Sequence, residues 1–319
     1  MPLLEVNSLT VDYQTRRGSI RAVDDMSFTL KKGEMMGLVG ESGSGKSTLG
    51  LSIVRLVPSP GIIVAGHLEI DGISLLDASE EEMRSIRGKK AAFVFQDPMT
   101  SLSPVKRISA HFVELIRAHE PRIGKEQALL RAKATLMDVG ILPERIDDYP
   151  HQFSGGMRQR IMIALAITLN PALLIADEPT TALDVIVQSK ILDLMKGLRE
   201  KYKMALILIT HDLSIVLERC DKILVMYAGS FVEYADSMEL HTNPMHPYTQ
   251  GLLRSIPNVE LADQKLEAIS GSPPDMLSPP DGCRFQPRCV NAQERCRMER
   301  PPILEPEPGH FVRCFEVKE

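Results

Sequence analysis

The stretch Gly40-Glu41-Ser42-Gly43-Ser44-Gly45-Lys46-Ser47, followed by Thr48, decides the fold. It fits the phosphate-loop pattern G-x-x-x-x-G-K-[ST], and an apolar strand-like run precedes it while a helix-compatible run follows. In such a loop, backbone N–H groups turn toward a polyphosphate, and the next helix directs the positive end of its dipole at it. Lys46 would supply a charge to the outer phosphates, and the Ser47 hydroxyl would be a ligand for Mg²⁺. The stretch predicts a site for a nucleoside triphosphate.

Composition sets the class of protein. The chain has 319 residues, of which 44% are hydrophobic and 25% charged, so it can bury a sizeable core. A formal net charge of −5 gives no support for nucleic-acid binding, which needs a basic surface. We find neither an apolar run near the roughly 20 residues of a membrane span nor a secretory signal. We therefore expect a cytosolic chain whose five cysteines are thiols or metal ligands and not disulfides.

Strand and helix patterns surround the loop. Residues 3–39 and 62–76 predict short strands joined by tight turns, as in an antiparallel sheet beside the nucleotide core. Residues from about 98 to 170 predict a helical insert, because apolar side chains recur at spacings of three and four. Strand, helix and strand follow between residues 173 and 209 and predict a parallel α/β unit.

The C-terminal part has a different composition. After about residue 235 prolines become frequent, and four of the five cysteines lie there. We therefore predict an α/β domain over residues 1–235 and, over 236–319, a Cys/Pro-rich appendage of loops around a fixed site.

Three polar stretches predict the chemistry. Asp177 and Glu178 directly follow the apolar run 173–176; Asp177 can reach the magnesium shell, and Glu178 can polarise the attacking water. An isolated acidic pair would only cap a strand. Ser154-Gly155-Gly156 enters a helix and forms a second anion site from backbone N–H groups, although alone it is more often a loop. Because the chain already has a phosphate loop, the second site suggests the nucleotide of another subunit.

The order of these pieces identifies a family. The phosphate loop, Gln96, the stretch 154–159, the run 173–178, Ala182-Leu183-Asp184 and His211 together resemble the ATP-binding subunits of ABC transporters. The resemblance covers about residues 3–235. It implies an ABC-type nucleotide-binding domain with a parallel sheet around the phosphate loop, an antiparallel β subdomain and a helical insert.

The resemblance also implies roles for single residues. Tyr13 matches the aromatic residue that stacks on adenine, unless it is an ordinary strand aromatic. Gln96 matches the glutamine that touches magnesium and water and senses the membrane partner, and Asp184 would bridge two subunits. The implied nucleotide set within this subunit is Tyr13, Gly40, Ser42, Gly43, Ser44, Gly45, Lys46, Ser47 and Thr48, and the implied magnesium set is Ser47, Gln96 and Asp177.

Hydrolysis would need residues from both subunits of a pair. Ser154 and Gly156, with Gly155 between them, would close over the γ-phosphate held by the opposite subunit. His211 would grip the γ-phosphate and hold the water that Glu178 activates, whereas a lone histidine at a strand end is usually incidental.

Three further stretches indicate the branch of the family. Residues 95–104 are similar to the glutamine-loop segment of oligopeptide and dipeptide importers, although Ser103 stands where Asn is usual. Residues 243–249 resemble their C-terminal His-Pro-Tyr element, and residues 282–289 resemble their cysteine segment. Together these stretches are similar to the D-type ATPase subunit of dipeptide/oligopeptide permeases, over nearly the whole chain.

The cysteine spacing leaves several ligands open. Cys283, Cys289, Cys296 and Cys314 are separated by five, six and seventeen residues, without the C-x-x-C pairs usual for zinc. Loose spacing on proline-rich loops suits a larger cluster held by four thiolates, and the resemblance implies a [4Fe–4S] centre. Zinc and unligated thiols are the alternatives, and Cys220 is predicted to be a buried thiol.

The resemblance implies the motor of an importer. Two ATPase subunits, this one with a paralogue or a copy of itself, would close on ATP and drive two separate membrane permease subunits from the cytoplasmic face. An extracytoplasmic binding protein would deliver the peptide. Other cargoes (oligosaccharides, nickel complexes, glutathione) are alternatives. A soluble ABC ATPase of DNA maintenance would need coiled-coil or zinc-finger insertions and a basic surface, and the sequence shows neither. A redox iron–sulfur protein regulated by ATP would not need the complete hydrolytic set, so this set argues against that alternative.

Overall fold

A computed structural model describes residues 1–97, 101–181, 183–256 and 269–318. The strands are β1 (Leu4–Thr15), β2 (Gly18–Leu30), β3 (Met35–Val39), β4 (Gly61–Ile70), β5 (Ile73–Ser74), β6 (Ala91–Val94), β7 (Leu173–Asp177), β8 (Ala205–Thr210), β9 (Lys222–Tyr227), β10 (Ser230–Asp236), β11 (Leu304–Glu307) and β12 (His310–Val312). The α-helices are α1 (Lys46–Ile53), α2 (Glu80–Ile86), α3 (Ile108–His119), α4 (Lys125–Asp138), α5 (Gly155–Ile167), α6 (Val185–Tyr202), α7 (Leu213–Arg219), α8 (Ser237–Thr242), α9 (Pro247–Arg254) and α10 (Arg295–Met298).

The chain forms two compact units. The first, here the helical unit, contains Met1, Lys31–Gly33 and Asp77–Ile207. The second, here the P-loop unit, contains Pro2–Leu30, Glu34–Leu76 and Leu208–Glu319. The boundaries of these two units differ from the predicted domain boundary after residue 235. That domain boundary stays a prediction.

The P-loop unit is built on a mixed sheet. β1 pairs antiparallel with β2 and with β4, and this confirms the predicted antiparallel subdomain. β9 pairs antiparallel with β10 and parallel with β3. All five residues of β3 are buried, as expected for a parallel strand covered on both faces. The phosphate loop therefore starts from a strand fixed within the core.

The C-terminal residues belong to the P-loop unit. β12 pairs with β10, and Phe285 packs against Tyr227 and Tyr248 with ring centroids 5.1 and 5.3 Å apart. The predicted Cys/Pro-rich appendage is not confirmed as a separate body, because its described residues pack against β9 and pair with β10. Residues 257–268 lie outside the described residues.

The helical unit contains the predicted insert. α3, α4 and α5 pack together through buried side chains that include Phe112 and Ile116 of α3 and Ala132 and Leu136 of α4. β6 and β7 pair in parallel in the same unit. The first residues of the predicted insert, 98–100, which also belong to the glutamine-loop resemblance, lie outside the described residues, as does Ala182.

Among the described residues, no helix combines the length and the apolar character that crossing a bilayer requires.

Candidate functional site

The phosphate loop at residues 40–47 joins β3 to α1 within the P-loop unit. Gly45, at the N-cap of α1, has a φ of +98°, and a Cβ added there would lie 2.1 Å from the carbonyl oxygen of Ala22. A Cβ on Gly40 would lie equally close, 2.1 Å, to the carbonyl oxygen of Met226. Only glycine fits both positions, so neighbouring backbone fixes the path of the loop into the helix.

Lys46 is the first residue of α1, and its side chain is buried at the loop. Its Nζ donates hydrogen bonds to the carbonyl oxygens of Gly40 (2.8 Å) and Glu41 (2.9 Å) and lies 3.4 Å from Ser44 Oγ. Oxygens of the loop thus hold the ammonium group beside the N–H groups at the start of α1. This is the arrangement of charge that suits a polyphosphate.

The other residues predicted around the nucleotide differ in exposure. Ser42, Gly43 and Ser47 are exposed, and Ser44 is buried. The Tyr13 hydroxyl lies 3.4 Å from Thr48 Oγ1, so this ring is next to the first turn of α1. The loop therefore offers hydroxyl and backbone groups to solvent, and the role of Tyr13 in stacking stays a prediction.

His211 is the first residue after β8 and is exposed in the P-loop unit. The next residue, Asp212, caps α7 by accepting a hydrogen bond from the backbone N of Ser214 at 2.9 Å. The histidine is thus held at the junction between a buried strand and a capped helix.

Asp177 and Glu178 lie at the end of β7 in the helical unit. Asp177 is buried, whereas Glu178 is half-buried and has a φ of +43°, an uncommon conformation for a residue with a side chain. Glu178 Oε2 accepts hydrogen bonds from Gln96 Nε2 at 3.0 Å and from Thr181 Oγ1 at 2.9 Å. Two of the predicted catalytic residues are therefore in direct contact.

Ser154 and Asp184 each begin a helix of the helical unit. Ser154 Oγ accepts from Met157 N at 3.4 Å, and Asp184 Oδ1 accepts from Val187 N at 2.9 Å. A Cβ added to Gly156 would lie 2.8 Å from Val187 Cγ1, so the starts of α5 and α6 are in close contact. Ser154, Gly155 and Asp184 are exposed.

Two arginines support the Ser-Gly-Gly stretch and had no role in the sequence prediction. Arg158 Nε donates to the carbonyl oxygens of Pro150 (2.8 Å) and Phe153 (2.9 Å). The Arg145 guanidinium lies 4.1 Å from the centroid of the Phe153 ring. The loop before α5 is therefore fixed by cationic side chains, and Arg158 lies within the stretch that marked the family.

C-terminal residues also contact the phosphate loop, which sequence reasoning missed. The backbone N of Glu41 donates to the Tyr248 hydroxyl at 3.0 Å, and Arg288 Nη1 donates to the Glu41 carboxylate at 2.8 Å. Burial raises the pKa of Tyr248, so its hydroxyl remains protonated and neutral. The only signal in the sequence was that Tyr248 belongs to the His-Pro-Tyr element.

The predicted residues thus fall into two groups by unit. The P-loop unit contains the loop, Tyr13, His211 and the cysteines, and the helical unit contains Gln96, Ser154, Asp177, Glu178 and Asp184.

All five cysteines are free thiols. Burial raises the pKa values of Cys283 and Cys289, and it raises that of Cys314 to about 11, so these three thiols are protonated at neutral pH. No three cysteine sulfurs in the described chain lie within 4.8 Å of one another, as zinc coordination would require.

Two family models match the chain. The model described as ABC transporter matches residues 23–181, and the model described as Oligopeptide/dipeptide transporter, C-terminal region, matches residues 232–296.

Relatives match over nearly the full length. The chain is 46% identical to the oligopeptide transport ATP-binding protein AppD of Bacillus subtilis, over 99% of this chain and 97% of the relative. It is 45% identical to the dipeptide transport ATP-binding protein DppD of Escherichia coli, over 98% of this chain and 96% of the relative.

Solved structures have the same fold. The dimeric ATP-binding cassette MJ0796, in a post-hydrolysis state bound to ADP and Pi, matches with a TM-score of 0.65 and 29% identity over 73% of this chain and 98% of that chain. The protein cbiO1 from Clostridium perfringens, part of the ABC transporter complex cbiONQ, matches with a TM-score of 0.65 and 26% identity over 76% of this chain and 91% of that chain. The predicted α/β fold of the ABC type is confirmed.

The prediction of a [4Fe–4S] cluster is wrong. The matching family models and these relatives are described as ATP-binding transport proteins, and none of these descriptions includes a metal cluster. Zinc at Cys283, Cys289, Cys296 and Cys314 has no support in these descriptions either. Loose cysteine spacing misled the prediction, since four cysteines on proline-rich loops do not by themselves specify a cluster.

Full-length similarity, the fold and the phosphate loop lead to one conclusion. The chain belongs to the ATP-binding subunits of ABC transporters that have the oligopeptide/dipeptide transporter C-terminal region.

Proposed function

We propose that this chain binds and hydrolyses ATP as a subunit of an ABC importer for dipeptides and oligopeptides. The observation that supports this proposal most is the 46% and 45% identity to peptide-transport ATP-binding proteins across both the nucleotide domain and the C-terminal region. An ABC ATPase with another function would share only the nucleotide domain and not the C-terminal region.

The phosphate loop would hold the nucleotide. Backbone N–H groups and Lys46 meet the phosphates, and Tyr13 lies next to Thr48, where an adenine could stack. Ser47, Gln96 and Asp177 would hold Mg²⁺, since hydroxyl, amide and carboxylate oxygens are the ligands it takes. When bound, Mg²⁺ neutralises charge on the phosphates.

Glu178 would orient and polarise the attacking water. Gln96 and Thr181 both donate to its carboxylate, and these contacts direct the side chain. The backbone at Glu178 is in a strained region, which is common at catalytic positions because the surrounding structure must hold it. His211 would hold the same water against the γ-phosphate.

A second ATPase subunit would complete the site. Ser154 and Gly155 are exposed at the start of α5, where backbone N–H groups can meet a phosphate of the partner subunit's nucleotide. Asp184 is exposed at the start of α6 and would bridge the two subunits. The partner would be a paralogue or a second copy of this chain.

The membrane part would be made of separate chains. Two permease subunits would receive the motion of the ATPase pair at the cytoplasmic face, and an extracytoplasmic binding protein would deliver the peptide. This chain would then be a peripheral membrane protein.

Uptake in the native host tests this function. A strain in which Lys46→Ala replaces the wild-type chain should lose uptake of a radiolabelled tripeptide, because the loop no longer holds phosphate. Lys196→Ala, at an exposed lysine of α6, is the matched control and should keep uptake. Normal tripeptide uptake in the Lys46→Ala strain, with loss of oligosaccharide, nickel or glutathione uptake instead, would contradict the peptide cargo.

A further inference from the structure

A buried histidine and a buried carboxylate form a pair in the P-loop unit that the nucleotide site does not use. His310 Nε2 lies 2.8 Å from Glu233 Oε1, and both side chains are almost fully buried, at 1% and 0% exposed. Glu233 also accepts hydrogen bonds from the backbone N of Met245 (2.7 Å) and of His246 (3.0 Å). When Nε2–H of His310 donates to this carboxylate, the second ring nitrogen, Nδ1, carries a lone pair that can bind a ligand.

The other ring nitrogen of His310 is left without a hydrogen bond. Nδ1 is buried and has no hydrogen-bond partner among the described residues. Glu239 Oε1 lies 3.9 Å from Nδ1, which is too long for a hydrogen bond. A buried nitrogen without a partner is costly, so this atom calls for an explanation.

Two carboxyl groups lie close to the His310 ring. Ligand atoms of His310, Glu239 and Glu307 all lie within 4.8 Å of one another. Glu307 and His310 face each other across the turn between β11 and β12, and Glu239 comes from α8. The Asn243 amide, at the end of α8, donates to Glu239 Oε1 (3.0 Å) and lies 3.5 Å from Glu307 Oε1. This cluster therefore brings two carboxyl groups close to the buried imidazole of His310.

We propose that His310, Glu239 and Glu307 bind one divalent transition-metal ion. An imidazole nitrogen with carboxylate oxygens is a ligand set for ions such as Mn²⁺ and Zn²⁺. The hydrogen bond from the far ring nitrogen of His310 to Glu233 is the arrangement that orients metal-binding histidines. Glu307 is exposed, so water can complete the coordination.

The cluster includes no cysteine and no phosphate-loop residue, and it does not depend on the proposed transport function. It would join α8 to the β11–β12 hairpin, which are both in the C-terminal region of the P-loop unit. Bound metal would therefore stabilise this region in particular.

Metal binding to the full chain, stripped with EDTA and free of nucleotide, tests the proposal. Titration with Mn²⁺, followed by electron paramagnetic resonance, should show one saturable site. Glu239→Gln and Glu307→Gln should each weaken Mn²⁺ binding by about tenfold or more, and the double variant should abolish it. Zn²⁺ should compete with Mn²⁺ and should raise the melting temperature of the wild type but not of the double variant.

Glu305→Gln is the matched control, because Glu305 is an exposed glutamate of the same hairpin that is outside the cluster. It should bind Mn²⁺ as the wild type does. His310→Ala removes a buried side chain and can unfold the region, so the half-buried Glu239 and the exposed Glu307 carry the test. Absence of a saturable Mn²⁺ site, or equal binding in the double variant, would overturn the proposal. So would ¹⁵N spectra that show both His310 ring nitrogens protonated and unchanged by the metal.

Discussion

Arg288 Nη1 donates a hydrogen bond to the carboxylate of Glu41 at 2.8 Å and so connects the C-terminal region to the phosphate loop. The Arg288 side chain is only 6% exposed. Burial lowers its pKa, but the hydrogen bond to Glu41 and further contacts outweigh burial and raise it, so the guanidinium is always charged. Tyr248 holds the backbone of the same loop residue. The C-terminal region therefore stabilises one end of the loop through both side chain and backbone.

Arg288→Ala should lower the free energy of unfolding by about 2 kcal/mol, because it removes a charged hydrogen bond in a buried setting. A double-mutant cycle with Glu41→Gln, by urea denaturation, should give a coupling energy of about 1 kcal/mol or more. Arg297→Ala, at an exposed arginine of the same region, is the control and should change stability little. A coupling energy near zero would show that the pair does not link the two segments.

Glu178→Gln should reduce ATP turnover by a factor of about 10² to 10⁴ and leave ATP binding intact, since the amide keeps the size of the side chain but cannot act as a base. Single-turnover hydrolysis and nucleotide-binding titrations measure the two effects. Glu200→Gln, at an exposed position of α6, should retain full turnover. If Glu178→Gln hydrolysed ATP at the wild-type rate, another group would be the base.

The sequence predicted the parts of the site that short motifs define. A phosphate loop needs glycine at fixed positions, so Gly40 and Gly45 could be found from spacing alone, and the structure adds the close contacts that exclude a side chain there. The buried strand before Asp177 was predictable for the same reason, because a continuous apolar run between loops indicates a parallel core strand.

Contacts between distant segments could not be predicted. Arg288 and Glu41 are 247 positions apart, and nothing in either local pattern indicates the other. The buried Glu233 and His310 likewise belong to strands whose pairing depends on the register of β10 with β12. The cysteines show the opposite error, because residue type and spacing suggested a ligand set that the matching family models and relatives do not support.

Gly156→Ala should lower the free energy of unfolding by about 1–3 kcal/mol, because the added methyl group meets Val187 Cγ1 at 2.8 Å. Val187→Ala removes that methyl and should restore much of the lost stability in the double variant. Urea denaturation measures this, and ATPase assays on the same proteins separate packing from function. If stability recovers and ATPase activity does not, Gly156 also serves the proposed contact with the partner subunit's nucleotide. Failure of Val187→Ala to restore stability would contradict the packing explanation.

His246 should make the stability of the protein depend on pH. Burial lowers its pKa to about 4, and its Nδ1 accepts a hydrogen bond from the backbone N of Tyr248 at 3.0 Å, so the imidazole is neutral in the folded state. In the unfolded chain it binds a proton near pH 6.5. This contribution to stability is therefore complete above pH 6.5 and is lost as the pH falls toward 4, by up to about 3 kcal/mol.

His246→Asn keeps an oxygen acceptor for the helix cap but does not titrate, so the difference in unfolding free energy between pH 7 and pH 5 should be smaller in this variant than in the wild type. Equal pH dependence of the two proteins, measured by urea denaturation, would mean that His246 is already protonated in the folded state or is not the group that titrates.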